Sequence, residues 1–157
     1  MWFGFIYGPI NKQSIDCTGI ETNDDCVTYS RNKGLHVLEM EAQNLKFSDG
    51  SFDTVIMVEV LEHLENLDLV MNEIKRITNN NVIISVLNIE SIPYLSKYNV
   101  VPWHILEATH INFFTKESLK NYLNKFFDNV YVEEYGLFAN WCEEKKLYYH
   151  IRAVASD

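Results

Sequence analysis

The chain has 157 residues, 47% of them hydrophobic, which suits one domain with a substantial core. Thirteen Lys and Arg against 22 Asp and Glu give a formal net charge of −9, so the chain as a whole repels a nucleic-acid backbone. Three widely separated cysteines (Cys17, Cys26 and Cys142) form no CxxC, which argues against a disulfide framework or a zinc knuckle and fits reduced thiols in the cytoplasm.

The opening "MWFGFIYGPI" is apolar but short. It has no basic flank or small-residue cleavage site, so a signal peptide is not expected, nor is any run long enough to span a membrane. "CTGIE" then reads as a buried strand, Cys17 to Ile20, ending in the carboxylate of Glu21. Thr22 or Asn23 can cap the helix that follows, Asp24 and Asp25 suit its first turn, and Gly34 suits its end. A second strand is expected from Leu35 to Met40, then a loop with a turn at Asp49-Gly50. Residues 54–58 are a continuous apolar run, as in a strand buried on both faces.

Leu67, Val70, Met71, Ile74 and Ile77 keep helical spacing. "NNN" reads as a turn before a strand from Val82 to Leu87. Asn88 to Phe114 is a long irregular connection with Pro93 and Pro102, a length that usually accompanies function. Thr115 caps a helix whose apolar stripe is Leu119, Tyr122, Leu123 and Phe126. "NVYVEEYG" and "KKLYYHIRAVAS" close the chain as two strands, expected to be antiparallel neighbours at one edge of the sheet. This alternation predicts an α/β fold with a parallel sheet.

An ordered set of motifs is more specific. Glu41-Ala42, "DGSFD" at Asp49 to Asp53, "EVLEH" at Glu59 to His63, "VIISVLN" and "THINFFT" at Thr109 to Thr115 together resemble the class I S-adenosylmethionine-dependent methyltransferases, in their small-molecule branch. The resemblance covers roughly residues 15 to 157 and implies a Rossmann-like, doubly wound, mostly parallel sheet with an antiparallel C-terminal strand. Strands like the family's second to seventh are present. The first strand and its "DxGxGxG" loop are missing or degenerate, since Gly8 stands only 13 residues before Glu21 and a dinucleotide fingerprint needs about 20. Residues 1–157 are thus expected to be one methyltransferase-like domain with an atypical start at 1–14. An empty slot there would leave strand edges unpaired, so "WFGFIYG", a second copy or another chain is expected to fill it.

The same resemblance implies the site. Glu21 would accept hydrogen bonds from the ribose diol of S-adenosylmethionine. Glu41 would accept from the adenine amine and Ala42 would donate its backbone N–H, with Met40 against the ring or in the core. Glu59, at a strand's C-terminal end, would touch the methionine part or the acceptor. His63, on the opening turn of the next helix, is the candidate general base, whereas Glu62 reads as solvated. His110 and Trp103 are placed on the substrate side, Phe113 and Phe114 in the core, and Tyr94 beside a pocket or in surface packing. His104, Glu107 and His110 lack a firm further ligand, so no metal is expected. The function implied is methyl transfer from S-adenosylmethionine to a small molecule. The alternatives are a non-catalytic methyltransferase-like module that binds a partner, and another Rossmann-like binder such as one for NAD.

Overall fold

The computed structural model describes residues 15–97, 99–101, 106–142 and 145–157, without the side chains of 138–142 and 145. It divides into two compact units, Met1–Phe47 and Ser48–Asp157. The atypical segment 1–14, and with it the expectation about "WFGFIYG", lies outside the described residues.

The first unit is a β-α-β crossover: β1 (Gly19–Glu21), α1 (Asp24–Asn32) and β2 (Val37–Glu39), with the strands parallel and Glu21 in register with Glu39. Asn23 is the N-cap of α1, its side-chain oxygen accepting from the Cys26 N–H at 3.0 Å. Gly34 ends the helix at φ 77°, a left-handed conformation that costs a side-chain-bearing residue more. That turn consumes Leu35 and His36, so β2 begins two residues later than expected; β1 likewise starts at Gly19 rather than Cys17.

The second unit contains β3 (Phe52–Val58), a 3₁₀ turn at Leu61–His63, α2 (Leu67–Ile77), β4 (Thr78–Leu87), a second 3₁₀ turn at Ile89–Ser91, α3 (Ile92–Ser96), α4 (Lys116–Leu123), β5 (Asn129–Cys142) and β6 (Lys145–Ser156). The sheet order is β3-β4-β6-β5; β3 and β4 are parallel and the remaining pairs antiparallel. The closing strands therefore form the expected antiparallel hairpin, with β6 lying inside it against β4.

Register divides this sheet into two unlike faces, because successive side chains alternate. One face carries Met57, Val82, Ile84, Val86, Val132, Ile151, Ala153 and Ala155, all buried. Helix α2 packs against β4, and α4 against β5 and β6, each bringing its own buried stripe, led by Val70, Met71, Leu119 and Leu123. The other face carries Ile56, Ser85, Tyr131, Glu133, Tyr135, His150 and Arg152. This corrects the expectation that residues 54–58 are buried throughout: Ile56 is 42% exposed while its neighbour Met57 is 5%. Among the described residues β3 is an end strand of its sheet.

The asparagine run is also strand rather than turn. β4 starts directly at Thr78, whose backbone pairs with Phe52, while the Asn side chains point to solvent or inward on the "DGS" turn. Asn79 donates to the Gly50 carbonyl at 2.7 Å, Gly50 donates to the Arg76 carbonyl at 2.8 Å, and Arg76 pairs with Asp49 at 2.8 Å. The "DGS" of "DGSFD" is thus the clasp that fixes the turn before β3 to the end of α2.

Helix α4 opens with a reciprocal cap: Thr115 Oγ1 accepts from the Ser118 N–H at 3.1 Å and Ser118 Oγ from the Thr115 N–H at 2.9 Å. Thr115→Ala is expected to lower stability by about 1 kcal/mol in urea unfolding; Thr115→Ser should retain most of it.

Candidate functional site

The first unit places its candidate residues at the carboxyl ends of two adjacent parallel strands, where open α/β sheets bind ligands. Glu21 ends β1, and Glu41 and Ala42 follow β2. Glu21 Oε1 accepts from the N–H groups of Thr22 and Asn23 at 2.8 and 3.0 Å. Oε2 makes no hydrogen bond among the described residues. Among the described residues the carboxylate is thereby held by one oxygen alone. Glu41 is exposed and its carbonyl accepts from Asn44 at 3.1 Å, which closes the turn around Ala42. Met40 uses its sulfur to accept from the Lys46 N–H at 3.3 Å, a role in the turn itself.

The second unit concentrates acidic and hydroxyl groups at the carboxyl end of β3. Glu59 has φ 53°, a left-handed conformation that costs a non-glycine residue about 1–2 kcal/mol. It is held there by its N–H on the Ser85 carbonyl at 2.9 Å and by Ser85 Oγ donating to Glu59 Oε1 at 2.8 Å. Because the single Ser85 proton points to Glu59, Tyr135 must donate its hydroxyl to Ser85 Oγ, 2.5 Å away. Burial raises the Tyr135 phenol, so it keeps that proton. His150 Nε2 lies 3.8 Å from Glu59 Oε2, and its ring stacks on Tyr135 at 5.1 Å.

Glu62, expected to be solvated, is instead 1% exposed. Neither of its carboxylate oxygens has a hydrogen-bond partner among the described residues. Burial pushes its carboxyl up to about 8, and the neighbouring Glu59 carboxylate pushes in the same direction. The cause is the 3₁₀ turn. Instead of continuing into α2, Leu61–His63 folds inward and is pinned from a distant segment. The Glu62 carbonyl accepts from Ile111 and Asn112 at 2.8 and 3.1 Å. The Asn112 side chain donates to the carbonyls of Leu61 and Leu64 at 3.0 and 2.7 Å. The two sequence blocks "EVLEH" and "THINFF" are therefore two halves of one clamp.

His63 sits on that 3₁₀ turn and not on the helix expected for it. Its Nδ1 donates to the Thr109 carbonyl at 3.2 Å, which leaves Nε2 with the lone pair in the neutral ring. Exclusion of water lowers its proton affinity, and His110, 4.6 Å away between ring centres, adds to this. His63 and His110 are thus brought together, as are Glu59 and Glu62. Trp103 lies outside the described residues. Phe114 is buried at 6% but Phe113 is 48% exposed, so only one of the pair is core; the extended chain turns alternate residues to opposite sides. The sequence reading missed Ser85, Tyr135 and His150, whose signal is only the period-two placement of polar residues in three separate strands.

Among the described residues no group of three or more His, Cys, Asp or Glu side chains could hold a metal. No helix among them is long and apolar enough to cross a membrane. No curated protein matches the chain. Among solved structures, a SAM-dependent methyltransferase from Archaeoglobus fulgidus is similar over 98% of this chain and 81% of its own, with TM-score 0.79 and 18% identity. The magnesium protoporphyrin IX methyltransferase of Synechocystis PCC 6803, with bound SAH, is similar over 98% of this chain and 70% of its own, with TM-score 0.68 and 15% identity. At such identities these likenesses show the fold: Rossmann-like α/β, as the motif order implied. The family described as "Methyltransferase domain" matches residues 3–86, across both units and over half the sequence. The chain belongs to the methyltransferase domain family.

Proposed function

We propose that the protein transfers a methyl group from S-adenosylmethionine to a small-molecule acceptor, with residues 1–157 acting as one methyltransferase-like domain. The observation that carries this is Glu21: a carboxylate at the end of a parallel strand, fixed through one oxygen and with no hydrogen bond to the other among the described residues. Such a group suits the two hydroxyls of a ribose. Glu41 and Ala42, on the turn after the neighbouring strand, are the matching groups for adenine. Family membership and the S-adenosyl cofactors of the similar structures support the reading.

In the second unit Glu59 is proposed to face the methionine part or the acceptor, and neutral His63 to take the acceptor's proton on Nε2. His110 and Trp103 are proposed on the acceptor side. The cofactor supplies an activated methyl group on sulfur, so the residues must mainly align the acceptor and exclude water.

Calorimetric titration with S-adenosylhomocysteine tests the proposal. Glu21→Ala is expected to weaken binding about 10–100-fold, the loss of one charge-assisted hydrogen bond. A folded wild-type chain that binds nothing at millimolar ligand would instead favour the non-catalytic, partner-binding module.

A further inference from the structure

We propose that Glu59 and Glu62 form a subsite for a protonated amine on the methyl acceptor. This deepens the methyltransferase reading by naming a substrate class, and rests on it for the word acceptor.

Two carboxylates meet at the end of β3, and the one at Glu62 is sealed from water without a hydrogen-bond partner among the described residues. Such a group is costly to leave unmet. Glu59 is already served by Ser85 at one oxygen; among the described residues its other oxygen lies 3.8 Å from His150, and its carboxylate neighbours that of Glu62. A ligand that completes this pair must donate hydrogen bonds and carry positive charge. An alkylammonium does both, and aromatic rings such as those of Tyr135 and His150 suit its attached carbons. A metal ion is the poorer occupant, because no group of three metal-ligating side chains is present among the described residues.

The pair also gives the amine a route to reactivity. When the bound ammonium gives one proton to Glu62, an N–H bond breaks, an O–H bond forms, and nitrogen keeps the electron pair. The titratable and charged groups facing the pair are Tyr135 from β5, His150 from β6, with Arg152 beside it engaged by Glu133, and His63 with His110 from the clamp.

An empty pair holds one proton in the neutral range, since burial raises Glu62 to about 8. A cation must displace that proton. Affinity for n-butylammonium should therefore rise from pH 6 to pH 8 and then level off, with about one proton released on binding at pH 6.5.

The experiment is calorimetric titration of the whole chain with n-butylammonium at fixed ionic strength, in two buffers of different ionisation heat, with and without saturating S-adenosylhomocysteine. Sodium is the control cation. The expected result is binding that persists beside S-adenosylhomocysteine, releases a proton, and weakens about tenfold or more in Glu62→Gln. Glu59→Gln should weaken it similarly, which protects the test should one variant fold poorly. Absence of binding, binding no stronger than sodium, or binding without proton release overturns the subsite. Competition with S-adenosylhomocysteine also overturns the acceptor assignment, since the pair would then serve the cofactor's own ammonium. Amine binding by a chain that ignores S-adenosylhomocysteine would leave the cation subsite standing and remove the methyltransferase reading instead.

Discussion

Glu62→Gln is expected to yield a protein more stable than wild type at pH 8–9, with the two converging near pH 4. The folded-state carboxyl of Glu62 is pushed up to about 8 by burial and by Glu59, whereas an unfolded Glu titrates near about 4.3. Between these values the folded state holds a proton that the unfolded chain has lost. Stability from this group is therefore fully present at low pH, declines as pH rises through that window, and levels off above about 8. At about 1.4 kcal/mol per unit the whole window amounts to at most about 5 kcal/mol, a large share of a typical folding free energy. Glutamine keeps the shape and stays neutral, so its stability curve should lack this slope. Urea unfolding of both proteins at each pH from 4 to 9 measures the difference. Parallel curves would show that Glu62 does not retain its proton on folding. Glu133, held below its ordinary range by Arg152, acts only at lower pH and is common to both proteins.

Asn112→Ala is expected to cost about 2–4 kcal/mol, more than truncation of any single cap. Two hydrogen bonds vanish: the Leu64 carbonyl loses the Asn112 side chain, and the Leu61 carbonyl keeps only the long bond from the Leu64 N–H at 3.4 Å. The substitution removes the bond between two segments some fifty residues apart, so the effect should appear as both a lower urea midpoint and faster amide exchange at Glu62 to Leu64. Asn112→Asp should not rescue it, because a carboxylate cannot donate to a carbonyl. A midpoint unchanged within about 0.5 kcal/mol would mean that Ile111 and Asn112 hold the turn by their backbone N–H groups alone.

Much of this architecture was legible because it is local. The Asn23 and Thr115 caps, the helix stripe at Val70, Met71, Ile74 and Ile77, and the antiparallel closing strands all follow from residues near one another in sequence. Glu62 was not legible for the opposite reason. Between Glu59 and Leu67 the sequence reads as a helix start with an acid in its first turn, which normally faces water. What turns it inward is Asn112, and no local pattern announces so distant a partner. The asparagines after Thr78 misled in a similar way: three turn-formers in a row outweigh strand pattern, yet backbone pairing with β3 overrides their propensity. The Ser85, Tyr135 and Glu59 chain needs three strands assembled before any part of it exists.

The position of β6 between β4 and β5 has a consequence for synthesis. β6 follows every other strand of its sheet in the sequence, yet it pairs on both sides. β4 is complete at Leu87 and β6 begins only at Lys145. At a translation rate of roughly 5–20 residues per second, one edge of the most buried strand in the unit waits for several seconds without its partner. During that wait Val82, Ile84 and Val86 sit beside open backbone donors and acceptors, the arrangement that invites pairing with other chains. The nascent chain is therefore most exposed to misassembly before its final hairpin strand arrives, and a chaperone that holds β4 would act in that interval.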